Sequence, residues 1–303
     1  MDPVFEQTLT ALAAAGDLTF EKEKELFQLS SFRIGGPVEY AVFPKTERGL
    51  AAAYAAVKQA GLQPRVVGNA TNILFPDEGV RGAIIFMTAL TGARMKGDLV
   101  TARAGERVTA LAVKAKNKGL SGLEFCYGIP GSVGGAVYMN AGAYEHSTSE
   151  VLESSRYFDP ERGEIDTLSA AEHDFSYRHS SYMGSGRILL SATYRLTPDD
   201  PAAILARMED YMGRRKSKQP LEYPSAGSVF KRYPGYFTGK LIEDSGLKGL
   251  TVGGAQVSKK HAGFIVNIGG ARASDVKELV EIITETIYKN YGIRIERELI
   301  YFE

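Results

Sequence analysis

Five glycines (Gly128, Gly131, Gly134, Gly135 and Gly142) fall within fifteen residues of the stretch from Ser121 to Ala143, in which Glu124 is the only charge. Glycine lets a ligand approach bare backbone, and successive backbone N–H groups in such loops form concavities that hold anions. Pro130 fixes the turn and removes one donor. Ser132 adds a hydroxyl and Asn140 a carboxamide, while Ile129, Val133, Val137 and Met139 offer apolar contact to a flat ring. This combination suits capture of a pyrophosphate joined to a ring system, as in a dinucleotide cofactor. A glycine-rich turn packed for structural reasons is the alternative. The Gly-x-Gly-x-x-Gly fingerprint of a Rossmann unit is absent. Gly68-Asn69-Ala70-Thr71-Asn72 also joins small residues, a hydroxyl and carboxamides directly after an apolar run, which suits a phosphate or ribose. Arg33 precedes the tight turn Gly35-Gly36-Pro37, either a further anion contact or no more than a turn.

Other candidate chemistry falls away. Gly235 to Lys240 is one residue short of a P-loop and ends in Leu241. The four histidines lack ligand spacing, so no metal is expected. Cys126 is the only cysteine, which rules out a disulfide framework, and its apolar neighbours mark it as a packing residue. The basic run Arg214-Arg215-Lys216-Ser217-Lys218 complements a helix dipole.

The elements that must carry these loops follow from pattern. The chain has 303 residues, enough for about two domains. Lys plus Arg equals Asp plus Glu at 36 each, which argues against a nucleic-acid binder driven by bulk charge. No signal-peptide pattern opens the chain, and no apolar run approaches the roughly 20 residues that span a bilayer. A cytoplasmic protein without membrane insertion is expected. Residues 2–15 read as a helix capped by Asp2, with Val4, Phe5, Leu9 and Leu12 near one face before Gly16 stops it. A charged segment follows. Strands are expected at 38–43, 64–67, 83–87, 99–104, 155–158 and 188–196, and helices at 46–60, 108–118, 202–215 and 274–290. A last strand over 293–301 puts Arg294, Glu296, Glu298 and Ile300 on one side. Pro198-Asp199-Asp200-Pro201 marks a boundary. The expected class is α/β (α+β), with a lead-in at 1–30, a cofactor domain at 31–197 and a smaller domain at 198–303.

Taken together, the blocks S-S-F-R-I-G-G-P at 30–37, G-N-A-T-N-I-L at 68–74 and G-I-P-G-S-V-G-G-A-V-Y-M-N-A-G-A-Y at 128–144 resemble the UDP-N-acetylenolpyruvoylglucosamine reductase (MurB) family of peptidoglycan synthesis. So do S-Y-R at 176–178, K-Q-P-L-E-Y-P-S-A-G-S-V-F-K at 218–231, G-K-L-I-E-D-S-G-L-K-G at 239–249, V-G-G-A-Q-V-S-K-K-H-A-G-F-I-V-N at 252–267 and E-R-E-L at 296–299. The resemblance implies an FAD-binding module of the vanillyl-alcohol-oxidase type followed by a substrate domain. It implies FAD along Arg33, Gly68, Asn69, Thr71, Asn72, Gly128, Ile129, Ser132, Gly134, Gly135 and Asn140. It also implies NADPH as hydride donor and UDP-N-acetylglucosamine enolpyruvate as substrate. Ser228 would then be the proton donor, with Arg178 and Glu298 as its catalytic partners, and Lys218 and Lys240 would contact the substrate diphosphate. A monomer, or at most a weak dimer, is expected.

Three features depart from the family pattern or narrow it. Ala70 stands where glycine is usual, and Arg232 where many members have asparagine. Tyr182 to Gly186 makes a short connection, which matches the shorter-loop branch. Another FAD-dependent oxidoreductase on the same module, reacting with oxygen, is the competing reading; A-G-S-V-F-K and E-R-E-L speak against it.

Overall fold

The computed structural model describes residues 3–302; the expected Asp2 cap lies outside them. By compactness the chain divides into two units, each drawn from separated segments. The first takes the chain up to Glu23, then Glu39–Asn69 and Gly82–Gly213; the second takes Lys24–Val38, Ala70–Arg81 and Arg214 onward. This differs from bounds at 30/31 and 197/198. The reason lies in packing: Pro198 pairs with Leu120, and Ile204 and Met208 of the helix Pro201–Lys218 are buried in the first core.

Among the described residues the first unit has two two-stranded sheets and two large ones. One orders its strands Leu18–Glu25, Pro37–Pro44, Val80–Phe86 and Arg65–Val67, the last two parallel. The helix Glu47–Gln59 starts where Thr46 accepts from Gly49 N, and it buries Leu50, Ala53 and Val57. The other sheet is antiparallel, in the order Glu164–Ser169, Leu152–Asp159, Ile188–Arg195, Leu99–Arg103, Ala93–Lys96. The helix Val108–Lys116 turns Val108, Leu111, Ala112 and Ala115 inward as its spacing predicts. Cys126 is buried, and burial pushes its thiol up. In the N-terminal helix Pro3–Ala14, Phe5 and Leu9 form the buried face; Val4, expected there, is exposed.

In the second unit, a four-stranded antiparallel sheet runs Ser225–Ser228, Phe264–Asn267, Ala255–Val257, Thr251–Val252. The helix Ala273–Tyr291 covers it with Val276, Leu279, Val280, Ile283 and Ile287, all buried, and ends at Gly292 in the left-handed region. Phe32, Ile34 and Leu74, from the two early segments, belong to this second core. The expected strand over 293–301 is regular only at Ile300–Tyr301, which pairs in parallel with Ile73–Leu74. The alternation holds at Ile293, Ile295 and Leu299, all buried, but the residues before Ile300 find only an isolated bridge, Arg297 with Phe230.

Candidate functional site

In the first unit two glycine loops meet. Gly68-Asn69 leaves the strand Arg65–Val67, and Asn69 Nδ2 donates to Pro130 O. A Cβ on Gly68 would lie 2.6 Å from Ser132 Oγ and 3.8 Å from Gly135 N. Ser132 is buried and caps the short helix Val133–Tyr138 by accepting from Gly135 N. Gly134 N donates to Ala104 O at 2.8 Å, an approach in which a Cβ would press on Ala104 at 3.2 Å. Thr109 Oγ1 donates to Ile129 O at 2.9 Å and accepts from Gly128 N at 3.3 Å. Gly68, Ser132 and Gly135 thus bring the two loops together, with the Ser132 hydroxyl beside Gly68 and accepting from Gly135 N. These loops offer glycine backbone and the Ser132 hydroxyl to a pyrophosphate.

Asn140 behaves differently from the expectation of a side chain presented to a ligand. It is buried with φ +41°, donates to Ser176 O at 3.0 Å and accepts from Ser149 N at 3.0 Å. Its amide therefore braces the loop that carries Arg178. That arginine has φ +55°, donates through Nη2 to Gly142 O at 3.1 Å and stacks on Tyr177. The end of the glycine-rich stretch and S-Y-R are one cluster.

In the second unit, Ser228 ends its strand just after Gly227, whose φ is +78°. Its hydroxyl donates to Phe230 O at 3.3 Å. Val229 O accepts from Glu298 N at 2.8 Å and Leu299 N at 3.2 Å, so Ser228 and Glu298 lie on adjoining backbones. His261, set aside on spacing, also belongs here. Its Nδ1 accepts from Gly263 N at 3.1 Å, which leaves the neutral ring's proton on Nε2. A Cβ on Gly263 would meet His261 Cε1 at 3.0 Å and Ser228 Oγ at 3.5 Å. Burial holds the His261 imidazole below its ordinary pKa, helped by Lys248 and Lys218. Sequence carried no signal for this beyond the block K-K-H-A-G-F.

The remaining expected residues fall in this unit too. Lys240 is exposed and paired with Asp244, and Lys218 ends the helix Pro201–Lys218, also exposed. Arg33 takes φ +56° and donates to Gln28 O at 3.1 Å. Asn267, to which sequence reading gave no role, donates to Phe32 O and Arg33 O, each at 3.2 Å. Thr71 is half-buried, and Asn72 Nδ2 donates to Glu298 O at 3.0 Å. Ala70 takes φ +47°, the region glycine adopts without strain.

Comparison with known proteins bears on these loops. Residues 38–169 match a family model described as FAD binding domain, and residues 219–302 match the UDP-N-acetylenolpyruvoylglucosamine reductase C-terminal domain. The reductase of that name from Levilactobacillus brevis is 47% identical over 278 residues, 92% of this chain and 91% of the relative. The Caldicellulosiruptor saccharolyticus reductase is 44% identical over 297 residues, 97% and 94%.

The chain belongs to the UDP-N-acetylenolpyruvoylglucosamine reductase family.

A crystal structure of the reductase from Thermus caldophilus superposes with a TM-score of 0.80 at 34% identity, covering 94% of this chain and 99% of that one. The chain therefore shares the reductase fold, with the FAD-binding module expected from the sequence. Gly68, Asn69, Thr71, Asn72 and the 128–140 loop lie inside the FAD-binding match, and Ser228, Lys240 and Glu298 inside the reductase C-terminal match. Arg33, Arg178 and Lys218 fall outside both. Among the described residues no group of His, Cys, Asp and Glu could hold a metal.

Proposed function

We propose that this chain reduces the enolpyruvyl ether of a UDP-N-acetylglucosamine to UDP-N-acetylmuramate, a step of peptidoglycan synthesis, with FAD and with NADPH as hydride donor. FAD, when bound, would supply the hydride chemistry that links NADPH to the methylene carbon of the substrate. The chain's own residues must then manage charge and a proton. The loops carrying Gly68, Ser132 and Gly135 would hold the cofactor's pyrophosphate. Arg178, always charged and forked, takes the substrate carboxylate, onto which negative charge spreads. Glu298 steadies the enolate-like intermediate, and Ser228 gives the proton to the adjacent carbon. A serine hydroxyl is a weak acid, so this delivery depends on placement beside a strongly basic carbon. Lys218 and Lys240 act on the diphosphate as point charges.

One observation carries the reading within this chain: the rung between Glu298 N and Val229 O sets Glu298 beside Ser228. Family membership supports it from outside. The reading includes a cytoplasmic location and a monomer or weak dimer. Among the described residues no helix is long and apolar enough to cross a membrane. The test is a spectrum of the purified protein, then NADPH oxidation with and without the enolpyruvyl sugar nucleotide. A yellow protein releasing unmodified FAD, and NADPH consumption tied to that substrate, are expected. A preparation that cannot be loaded with FAD, or that passes electrons only to oxygen, overturns the reading.

A further inference from the structure

The segment 296–302 is laced on both sides. On one side Lys231 N donates to Glu296 O at 2.9 Å, and Val229 O accepts from Glu298 N and Leu299 N. On the other, Ile300 N donates to Asn72 O and Phe302 N to Leu74 O, each at 3.0 Å. The parallel ladder begins only at Ile300, opposite Ile73, and does not reach Glu298. There the side chain of Asn72 supplies the next rung, with Nδ2 donating to Glu298 O at 3.0 Å. Glu298 is therefore held at its N–H by the residue after Ser228 and at its C=O by Asn72.

We propose that Asn72 is a positioning residue for the reductive half-reaction on the substrate: its carboxamide fixes the backbone of Glu298 and, through the shared Val229 contact, that of Ser228. The proposal rests on the functional reading above and deepens it. The resemblance assigns Asn72 to FAD, whereas here its donor is turned to the strand carrying Glu298. Without that donor the Glu298 carbonyl must turn to find another partner. Turning the peptide displaces the side chain that depends on it, and proton delivery between placed groups tolerates little displacement.

The test uses the FAD-loaded full chain with Asn72→Asp and Asn72→Ala. Aspartate keeps the shape, but its carboxylate cannot donate. In stopped flow, flavin reduction by NADPH should stay within about two-fold of the parent, while flavin reoxidation by the enolpyruvyl substrate slows by about 10–100-fold at pH 7 to 8. Protonation gives the introduced acid an O–H, so the Asn72→Asp variant should recover as pH falls toward 5, and Asn72→Ala should not. The titratable neighbours are Glu298 itself, Arg297 stacked on Tyr301, and Lys231 paired with Glu296. All are present in the parent, whose profile is the reference. Amide exchange at Glu298 to Ile300 should quicken in both variants at pH 7.

Loss of FAD, or equal slowing of both half-reactions, would give Asn72 to the cofactor and overturn the proposal. So would a parent-like second half, or a deficit in Asn72→Asp that ignores pH. If the parent itself does not reduce the substrate, the functional reading fails, and unchanged exchange at Glu298 to Ile300 would then still overturn the contact.

Discussion

Ser228 owes its place to a left-handed glycine before it and a shared carbonyl after it, and little packing depends on its hydroxyl. Ser228→Ala should therefore keep its flavin and be reduced by NADPH at nearly the parent rate. Reoxidation by the enolpyruvyl substrate should slow by about 10²–10⁴-fold, the usual loss for a positioned proton donor. Stopped-flow traces of the two halves decide; equal slowing of both assigns the proton elsewhere. Glu124 is a residue of another kind. Burial alone would raise its carboxyl, but the Gly122 N–H, Arg207 and Ser121 outweigh that and hold it below its ordinary value of 4.5. A depressed carboxylate stabilises the fold above its unfolded pKa and loses that contribution as pH falls through the folded one. Glu124→Gln should thus cost about 2 kcal/mol at pH 7, with the gap to the parent closing below the ordinary carboxylate pKa. Urea melts at pH 7 and pH 3.5 measure this; a gap that persists in acid would deny the charge its role.

Among the elements, the two glycine loops of the first unit approach each other closely at Gly68. Gly68→Ala would put a Cβ 2.6 Å from Ser132 Oγ, so either the loop retreats or Ser132 gives up its cap on Gly135 N. FAD affinity should fall at least about 10-fold, the equivalent of 1.4 kcal/mol, on titration of the apoprotein; unchanged affinity would remove Gly68 from the pyrophosphate site. These loops were legible because glycine, proline and hydroxyl act locally, and so were helices bounded by Thr46 and Gly292. No strand of the second unit's four-stranded sheet was read, and neither were three strands of four or more residues in the first unit: Leu18–Glu25, Ala93–Lys96 and Glu164–Ser169. All three are sheet edges. An edge strand gains its order from backbone pairing and keeps polar side chains in water, so apolar patterning does not announce it. The strand expected at 293–301 failed for the opposite reason: its side chains alternate, but a ladder partner meets it only at Ile300–Tyr301. The nearness of Ser228 to Glu298, like the bonds from Asn72 and Asn267, joins residues far apart in sequence. No local signal encodes such contacts; for Ser228 and Glu298 only the resemblance pointed to a common task.

For the molecule as a whole, the second unit is the instructive case, because it is not a contiguous stretch. Phe32, Ile34 and Leu74 sit in its core with Val229, Ile242, Ile265 and Leu299, and Asp77 accepts from Ala273 N and Ser274 N. A fragment of residues 214–303 leaves those early segments behind, and extending it back to 198 does not restore them. It should show no cooperative thermal transition by circular dichroism, whereas the full chain should; a sharp transition in the fragment would mean that its core closes without Phe32, Ile34 and Leu74. The parallel pairing of Ile73–Leu74 with Ile300–Tyr301 also sets a schedule for biosynthesis. At ribosomal speeds of about 5–20 residues per second, Leu74 emerges roughly 10–50 s before its partner strand exists. During that interval the apolar side chains of the early segments, Phe32, Ile34 and Leu74, have no finished core to enter and must wait for the last strand of the chain.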